Sequence, residues 1–244
     1  MMFAKWEKLP EYMQNDKVRK YYDILNKRRL PLLFKRIFDI VVSLVMIIIL
    51  SPFLLILAAA VKLDSPGPVF FRQARITKYG KEFKIHKFRS MVTGADKIRS
   101  ITVSDDKRIT KVGRFIRKYR LDETGQLFDV LAGNMTFVGT RPEIPKYVKH
   151  YTPEMFATFL LPAGITSEAS IYYKDEAALL SGSDDSDNVY INKILPEKMK
   201  YNLEEIGKAG LIHDIKIMFK TFYAVIKKDK EKKLDKHNIE ETVK

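Results

Sequence analysis

The stretch IFDIVVSLVMIIILSPFLLILAAAV, from Ile37 to Val61, decides how this chain is read. From Ile40 onward its 22 residues carry no charge. A bilayer core takes about 20 apolar residues as a helix, so length alone permits a span. Two features complicate a plain span. Ser51-Pro52 falls in the middle, where proline removes a helical hydrogen bond and clashes with the preceding turn, predicting a kink. The flanks are both basic: residues 1–36 carry 10 basic and 4 acidic side chains, and residues 62–120 carry 17 and 5. Orientation is read from lysine and arginine asymmetry, and basic residues on both sides favour neither direction. A re-entrant helical hairpin, entering and leaving on the cytoplasmic face, satisfies both observations, with Ser51 bonding backbone groups that Pro52 frees. The pattern by itself leaves a simple span and a re-entrant element open. A signal peptide is disfavoured because the run starts at residue 37 and exceeds the usual ~7–15-residue apolar region, although Ala58-Ala59-Ala60 looks cleavable. The uncharged length disfavours a buried helix of a soluble protein.

The whole chain has 244 residues, a formal net charge of +14 and no cysteine. That length fits one domain, or one domain with an anchor. The absence of cysteine excludes a disulfide scaffold, a cysteine-based zinc site and a thiol nucleophile. His86, His150, His213 and His237 are too far apart for an HExxH-type metal motif, which argues against hydrolytic zinc chemistry. A basic half of this kind points to anionic partners: nucleic acid, anionic lipid or phosphorylated small molecules. No nucleic-acid motif is present, and the membrane segment weakens that option further.

Around the apolar run the organisation is plain. Residues 1–36 read as a polar, helix-prone lead, and Asp64-Ser65-Pro66-Gly67-Pro68 as a turn-rich exit. PVFFRQ and EFKIHKFRSM flank Lys78-Tyr79-Gly80-Lys81, predicting a β-hairpin whose basic side chains are Arg72, Arg75, Lys84, Lys87 and Arg89; most of these are expected on a solvated strand face. Residues 110–133 predict two short helices meeting near Leu121, with Asp122 as the N-cap of the second and Gly133-Asn134 as its stop. Upstream lie Lys111, Arg114, Arg117, Lys118 and Arg120, so that Asp122-Glu123 interrupts a cationic run. Two readings stay open there. The acids read either as helix-end residues that suit the dipole, or as part of a phosphate site at a helix N-terminus.

Further on, Arg141-Pro142 follows the strand-like MTFV and Gly139-Thr140, which suits a rigidly held, bidentate phosphate contact. SGSDDSD at 181–187 lacks the ligand spacing of an EF-hand. LIHDIKIMFKTFYAVIKK sets Leu211, Ile215, Met218, Phe219, Phe222 and Ile226 at helical spacing, for a helix lying in the membrane interface or closing the core. The tail is charged.

KRIFDI, the apolar run with its central Ser-Pro, SPGPVFFRQ, KFRSM, RLDETGQLFDVLAGNMTFVGTRP and a late PAGIT occur in an order that resembles the bacterial sugar transferases. These are monotopic polyprenyl-phosphate phosphoglycosyl transferases, and the resemblance covers about residues 31–228. It implies an α+β fold: a re-entrant membrane helix broken at Ser51-Pro52, and a small, mainly helical cytosolic domain with a short β-hairpin and interfacial amphipathic helices. The divisions are then a lead at 1–30, the membrane helix at 31–62, the catalytic domain at 63–228 and a flexible tail at 229–244. The resemblance further implies that Asp122 attacks the sugar-bearing phosphorus of a UDP-sugar, expelling UMP, and passes the phosphosugar to a polyprenyl phosphate such as undecaprenyl phosphate. Asp122 and Glu123 would hold Mg²⁺, Glu123 would help the second step, and Lys87, Arg117, Arg141 and Pro142 would contact phosphate or nucleotide. Nearby cations are expected to keep the Asp122 carboxyl ionised.

The implied setting is the inner leaflet of the bacterial cytoplasmic membrane, in capsule, exopolysaccharide or other glycoconjugate biosynthesis. No nucleic acid is expected as a partner, and a homodimer is left open. The alternative is a non-catalytic, membrane-attached scaffold of a polysaccharide assembly complex. Three departures stand out. Thr124-Gly125 replaces the usual Leu-Pro, Gly139-Thr140-Arg141-Pro142 replaces Gly-Pro-Arg-Pro, and PAGITSEAS lacks a basic donor-site residue near Leu161. The variant stretch after Pro162 hints at a different sugar without naming it.

Overall fold

A computed structural model of the protein describes residues 3–95, 106–174, 176–180 and 185–226. The tail expected over 229–244 and residues 181–184 of the polar loop lie outside these described residues. Among them, ten helices follow one another: α1 (Asp16–Asn26), α2 (Arg29–Asp64), α3 (Lys111–Lys118), α4 (Gln126–Ala132), α5 (Pro145–Val148), α6 (Glu168–Tyr172), α7 (Glu176–Leu180), α8 (Ser186–Val189), α9 (Leu195–Ile206) and α10 (Leu211–Ile226). Six short strands complete the set: β1 (Phe70–Phe71), β2 (Ala74–Ile76), β3 (Glu82–Lys84), β4 (Lys87–Phe88), β5 (Met135–Val138) and β6 (Ala163–Thr166). Helix and sheet are mixed, as expected.

The apolar run forms one helix, α2, of 36 residues with Pro52 inside it. Two arms broken at Ser51-Pro52 were expected, and the helix is instead assigned without interruption. Its chemistry explains how the proline is tolerated. Pro52 has no N–H for the carbonyl of Ile48, one turn back, and the Ser51 hydroxyl donates to that oxygen at 2.8 Å. The side chains that α2 buries are Lys35, Asp39, Ser43, Leu54, Leu57 and Val61. With the partly buried Met46 and Leu50 between them, these lie three or four residues apart and form one stripe along the helix. Leu30, Ile37, Ile48, Ile49, Leu55 and Ile56 face outward and are exposed. The helix meets the length and hydropathy required to cross a membrane.

Buried polar groups pin the N-terminal half of α2. Lys35 is ion-paired with Asp214 of α10 and donates to the Val138 carbonyl at 2.9 Å. Asp39 accepts from the Thr136 hydroxyl at 2.7 Å and from the Phe137 N–H at 3.2 Å. Arg36 donates to the Val130 and Leu131 carbonyls at the end of α4. At the other end of α2, Asp64 accepts from the Val112 N–H in the first turn of α3 at 2.9 Å. Arg89 donates to the carbonyls of Val61 and Pro66 at 3.1 and 3.2 Å.

The predicted hairpin is present as two short antiparallel ladders, Phe70↔Phe88 with Phe71↔Lys87, and Ala74↔Lys84 through Ile76↔Glu82. Its turn places Tyr79 and Gly80 at φ 58° and 72°. β5 and β6 pair in parallel, Met135↔Ala163 through Val138↔Thr166. At Gly164 a Cβ would stand 2.2 Å from the backbone of Gly139, so the two segments approach this closely only because residue 164 is glycine.

The lead is not a separate appendage. Leu9, Met13, Val18, Tyr22 and Leu25 share a core cluster with Tyr147, Leu160, Leu195 and Met199. A second cluster joins α2 to α4, β5 and Ile217 of α10, and a third joins Leu54, Leu57 and Val61 to Phe88 and Ile116. α10 closes the core with one face and leaves another exposed. Asp214 and Ile217 are buried, whereas Ile212, Phe219, Phe222 and Tyr223 are exposed.

Candidate active site

The site begins at a short 3₁₀ turn, Leu121–Gly125, between α3 and α4. Arg120 enters it in the left-handed region at φ 53°, an uncommon conformation for a residue with a Cβ, and donates to the Lys174 carbonyl at 3.1 Å. Asp122 was expected to cap a helix. The N-cap of α4 is Gly125 and that of the 3₁₀ turn is Arg120, and no side chain makes a capping bond at either. The chain enters α4 through the 3₁₀ turn, so Asp122 lies inside that turn and its carboxylate remains available to the cavity. Gly133, at φ 84°, stops α4 as predicted.

Three segments converge on the acidic pair. Lys87 comes from the hairpin, positioned by the preceding residue: the His86 N–H donates to Asp129 of α4 at 2.8 Å, and its ring Nδ1 bonds the other carboxylate oxygen at 2.8 Å. Gly125 allows the turn to approach this strand end, because a Cβ there would stand 2.9 Å from the His86 carbonyl. Arg141 comes from the loop after β5. That loop is stapled to β6 by Gly139 N–H to the Thr166 carbonyl at 2.9 Å and Gly164 N–H to the Thr140 carbonyl at 2.8 Å. It is therefore held without the proline that the resemblance leads one to expect before the arginine.

Lys87 Nζ lies 3.4 Å from Glu123 Oε1 and 4.0 Å from Asp122 Oδ2, and Arg141 is ion-paired with the same Glu123 oxygen. The two acids consequently differ in electrostatics. Burial pushes the Asp122 carboxyl up, Lys87 opposes it, and the like charge of Glu123 adds to the rise. The cations do pull Asp122 down, as expected, but burial outweighs them. At Glu123 burial also pushes upward, but Arg141 and Lys87 outweigh it and hold that carboxyl well below the usual range. Burial lowers Lys87, and the Glu123 charge raises Arg141.

These groups line a cavity of about 400 Å³, within the ~300–1,000 Å³ range of small-molecule sites. Lys87, Arg117, Asp122, Glu123, Arg141 and Pro142, all singled out in the sequence, line it together. Ser51 and Pro52 lie on α2 and do not line it. Among the lining residues missed as site residues are Arg75, Glu143, Tyr190 and Lys198. Arg75 was counted among solvated hairpin residues, and strand alternation, which sets it on the face opposite buried Ile76, gave no signal against that reading. Glu143 accepts from the Tyr190 hydroxyl at 2.5 Å, and Lys198 pairs with Glu176 at 2.8 Å. The contacts linking Glu143 to Tyr190 span 47 residues and leave no short-range pattern in the sequence.

The α+β body thus sets a carboxylate pair among lysine and arginine, and carries a helix long and apolar enough to cross a membrane. The chain belongs to the bacterial sugar transferase family, whose profile matches residues 30–228. Among curated proteins it is 36% identical over 197 residues to a UDP-glucose:undecaprenyl-phosphate glucose-1-phosphate transferase of Escherichia coli strain K12, covering 78% of this chain and 40% of that protein. It is 34% identical to a UDP-N-acetylgalactosamine-undecaprenyl-phosphate N-acetylgalactosaminephosphotransferase of Aeromonas hydrophila, covering 79% and 43%. It is 32% identical to an undecaprenyl-phosphate galactose phosphotransferase of Salmonella typhimurium, covering 80% and 41%. The chain thus spans about two fifths of the length of these relatives.

Proposed function

We propose that the protein transfers a sugar 1-phosphate from a UDP-sugar to a polyprenyl phosphate, releasing UMP, by way of a phosphosugar carried on Asp122. The observation that carries this reading is the division of labour within the dyad. Glu123 is held by Arg141 and Lys87, while Asp122 accepts no hydrogen bond among the described residues and faces the same cavity. In the first step a carboxylate oxygen of Asp122 bonds to the sugar-bearing phosphorus. The phosphoanhydride bond breaks, and its electron pair leaves on the UMP phosphate. In the second step a phosphate oxygen of the acceptor attacks the same phosphorus, and the carboxylate departs unchanged. Splitting one transfer in two lets a single site meet a soluble donor and then a lipid acceptor.

Anionic nucleophile and anionic phosphate repel, so neutralisation counts for as much as nucleophilicity. Lys87, Arg117 and Arg141 are placed to supply it. The side-by-side hard oxygens of Asp122 and Glu123 suit Mg²⁺, an ion usually held by one or two carboxylates together with water and substrate phosphates. Among the described residues no set of three candidate ligands stands together, so these two residues would hold it with the donor's phosphates. Mg²⁺ bound there would neutralise charge on the phosphoryl oxygens.

For the membrane, we read α2 as dipping into the cytoplasmic leaflet with both ends on the same side. Its N-terminal half (Lys35, Arg36, Asp39) and its last residue (Asp64) all bond to one body, which a helix crossing the bilayer could not do. Outward-facing Phe115 of α3 and Phe219 and Phe222 of α10 offer further apolar surface to the interface.

The test is UMP release from purified full-length protein given a panel of UDP-sugars, Mg²⁺ and polyprenyl phosphate. UMP, with neither UDP nor free phosphate, is the expected product; UDP as the product would overturn the reading. A second prediction follows from the dyad. Glu123→Gln removes the like charge beside Asp122 and releases Lys87 toward it, so the Asp122 carboxyl should titrate lower. The acid limb of the pH–kcat/KM profile is expected to move to lower pH even as activity falls. An unmoved limb would mean that Asp122 is not the group being titrated.

A further inference from the structure

The dyad and its two nearest cations already balance in charge. Glu123 holds Arg141 and lies 3.4 Å from Lys87, and Asp122 lies 4.0 Å from the same ammonium. A diphosphate entering the cavity brings negative charge that these cations can meet only by loosening their hold on the acids. Arg75 is placed differently. It lines the same cavity, is half-buried, and makes no ion pair among the described residues. Its hydrogen-bond partners are neutral oxygens: the Pro142 carbonyl at 2.9 Å and the Gln73 side-chain oxygen at 2.7 Å. Its Nε is buried without any partner. Burial opposes its charge, and only the longer-range fields of Glu143, Tyr190 and Glu123 support it against Arg141.

A guanidinium withdrawn from water toward neutral acceptors is costly unless an anion completes its environment. Its planar fork suits phosphoryl oxygens, and Pro142 with Gln73 already fixes its orientation. The bond to Pro142 also ties it to the residue next to Arg141, so both guanidiniums are held by one loop. We infer that Arg75 is a diphosphate-binding residue of this site, offering its remaining N–H groups to the phosphoryl oxygens of the nucleotide donor. This rests on the donor class proposed above, but the chemistry it claims is that of a diphosphate alone.

Inorganic pyrophosphate is therefore the probe, titrated by calorimetry into the full chain in detergent, with UDP as a second ligand. Arg75→Gln is expected to weaken both at least tenfold with its melting temperature unchanged, and Arg75→Lys to recover most of the loss. Affinity should depend less steeply on salt in the glutamine variant, because one screened charge–charge attraction is gone. If Arg75→Gln binds both ligands as the wild type does, the inference is overturned. It is equally overturned if lysine and glutamine both lower the melting temperature and weaken binding alike, since Arg75 would then only brace Pro142. Should the glutamine variant not fold, Arg75→Met keeps the aliphatic stem and is read in the same way. A wild type that binds pyrophosphate through Arg75 yet releases no UMP from any UDP-sugar would defeat the proposed reaction and leave this inference standing.

Discussion

Asp122→Asn is expected to abolish UMP release, by roughly 10⁴-fold or more, with the protein still folded and membrane-bound. An amide cannot form the acyl phosphate, so what is lost is the bond itself and not a favourable contact. The fold should not notice. Asp122 caps no helix and accepts no hydrogen bond among the described residues, and its nearest contact with Lys87 is a 4.0 Å ion pair. The measurement is UMP release with saturating donor, together with mass spectrometry of wild type quenched with donor alone, which should show the phosphosugar on residue 122. Substantial turnover by Asp122→Asn would remove the residue from its role. The same experiment separates the enzyme from a non-catalytic scaffold, whose function this substitution should leave intact.

The second large effect concerns stability. Lys35→Met should destabilise the protein by about 3–5 kcal/mol, the cost of leaving a buried charge without its partner. The side chains of Lys35 and Asp214 are only 5% and 2% exposed, so water cannot take over from the missing ammonium. The Val138 carbonyl loses its donor as well. For a chain of this size the melting temperature should fall by roughly 10 °C. The double variant Lys35→Met/Asp214→Leu should regain much of the loss, because both charges then leave the interior together. If the single variant melts within a degree or two of wild type, the pair does not hold α2 to α10.

The chemistry of the site was largely visible in the sequence, because its signals are local. An acidic pair inside a cationic run, Lys87 on a hairpin and Arg141 after a strand can each be read from neighbouring residues. The fold was less visible where it depends on distant partners. β5 looked strand-like in MTFV, but its parallel partner β6 is built on Gly164 packing against Gly139, a contact with no local pattern. The lead reads as polar overall, yet Met13, Val18, Tyr22 and Leu25 form a narrow buried stripe. Asp122 was misread as a cap because a short acid before an apolar helix is the usual cap signature, and only the intervening 3₁₀ turn shows otherwise. One overlooked signal lay where the apolar run begins. Lys35, Asp39 and Ser43 stand at i, i+4 and i+8, and polar groups at that spacing mark the face turned away from lipid.

That face has a practical consequence for anyone wishing to handle the protein without detergent. Deleting residues up to 64 would strip Asp214, the Thr136 hydroxyl, the Phe137 N–H and the Val138 carbonyl of their counterparts at one stroke. It would also uncover the apolar sides of Leu127, Val130 and Ile116. The hydrophobic segment is as much a wall of the building as its mooring, and a water-soluble fragment would have to be obtained by repainting the outer side of that wall, at positions such as Ile48, Ile49, Leu55 and Ile56, instead of demolishing it.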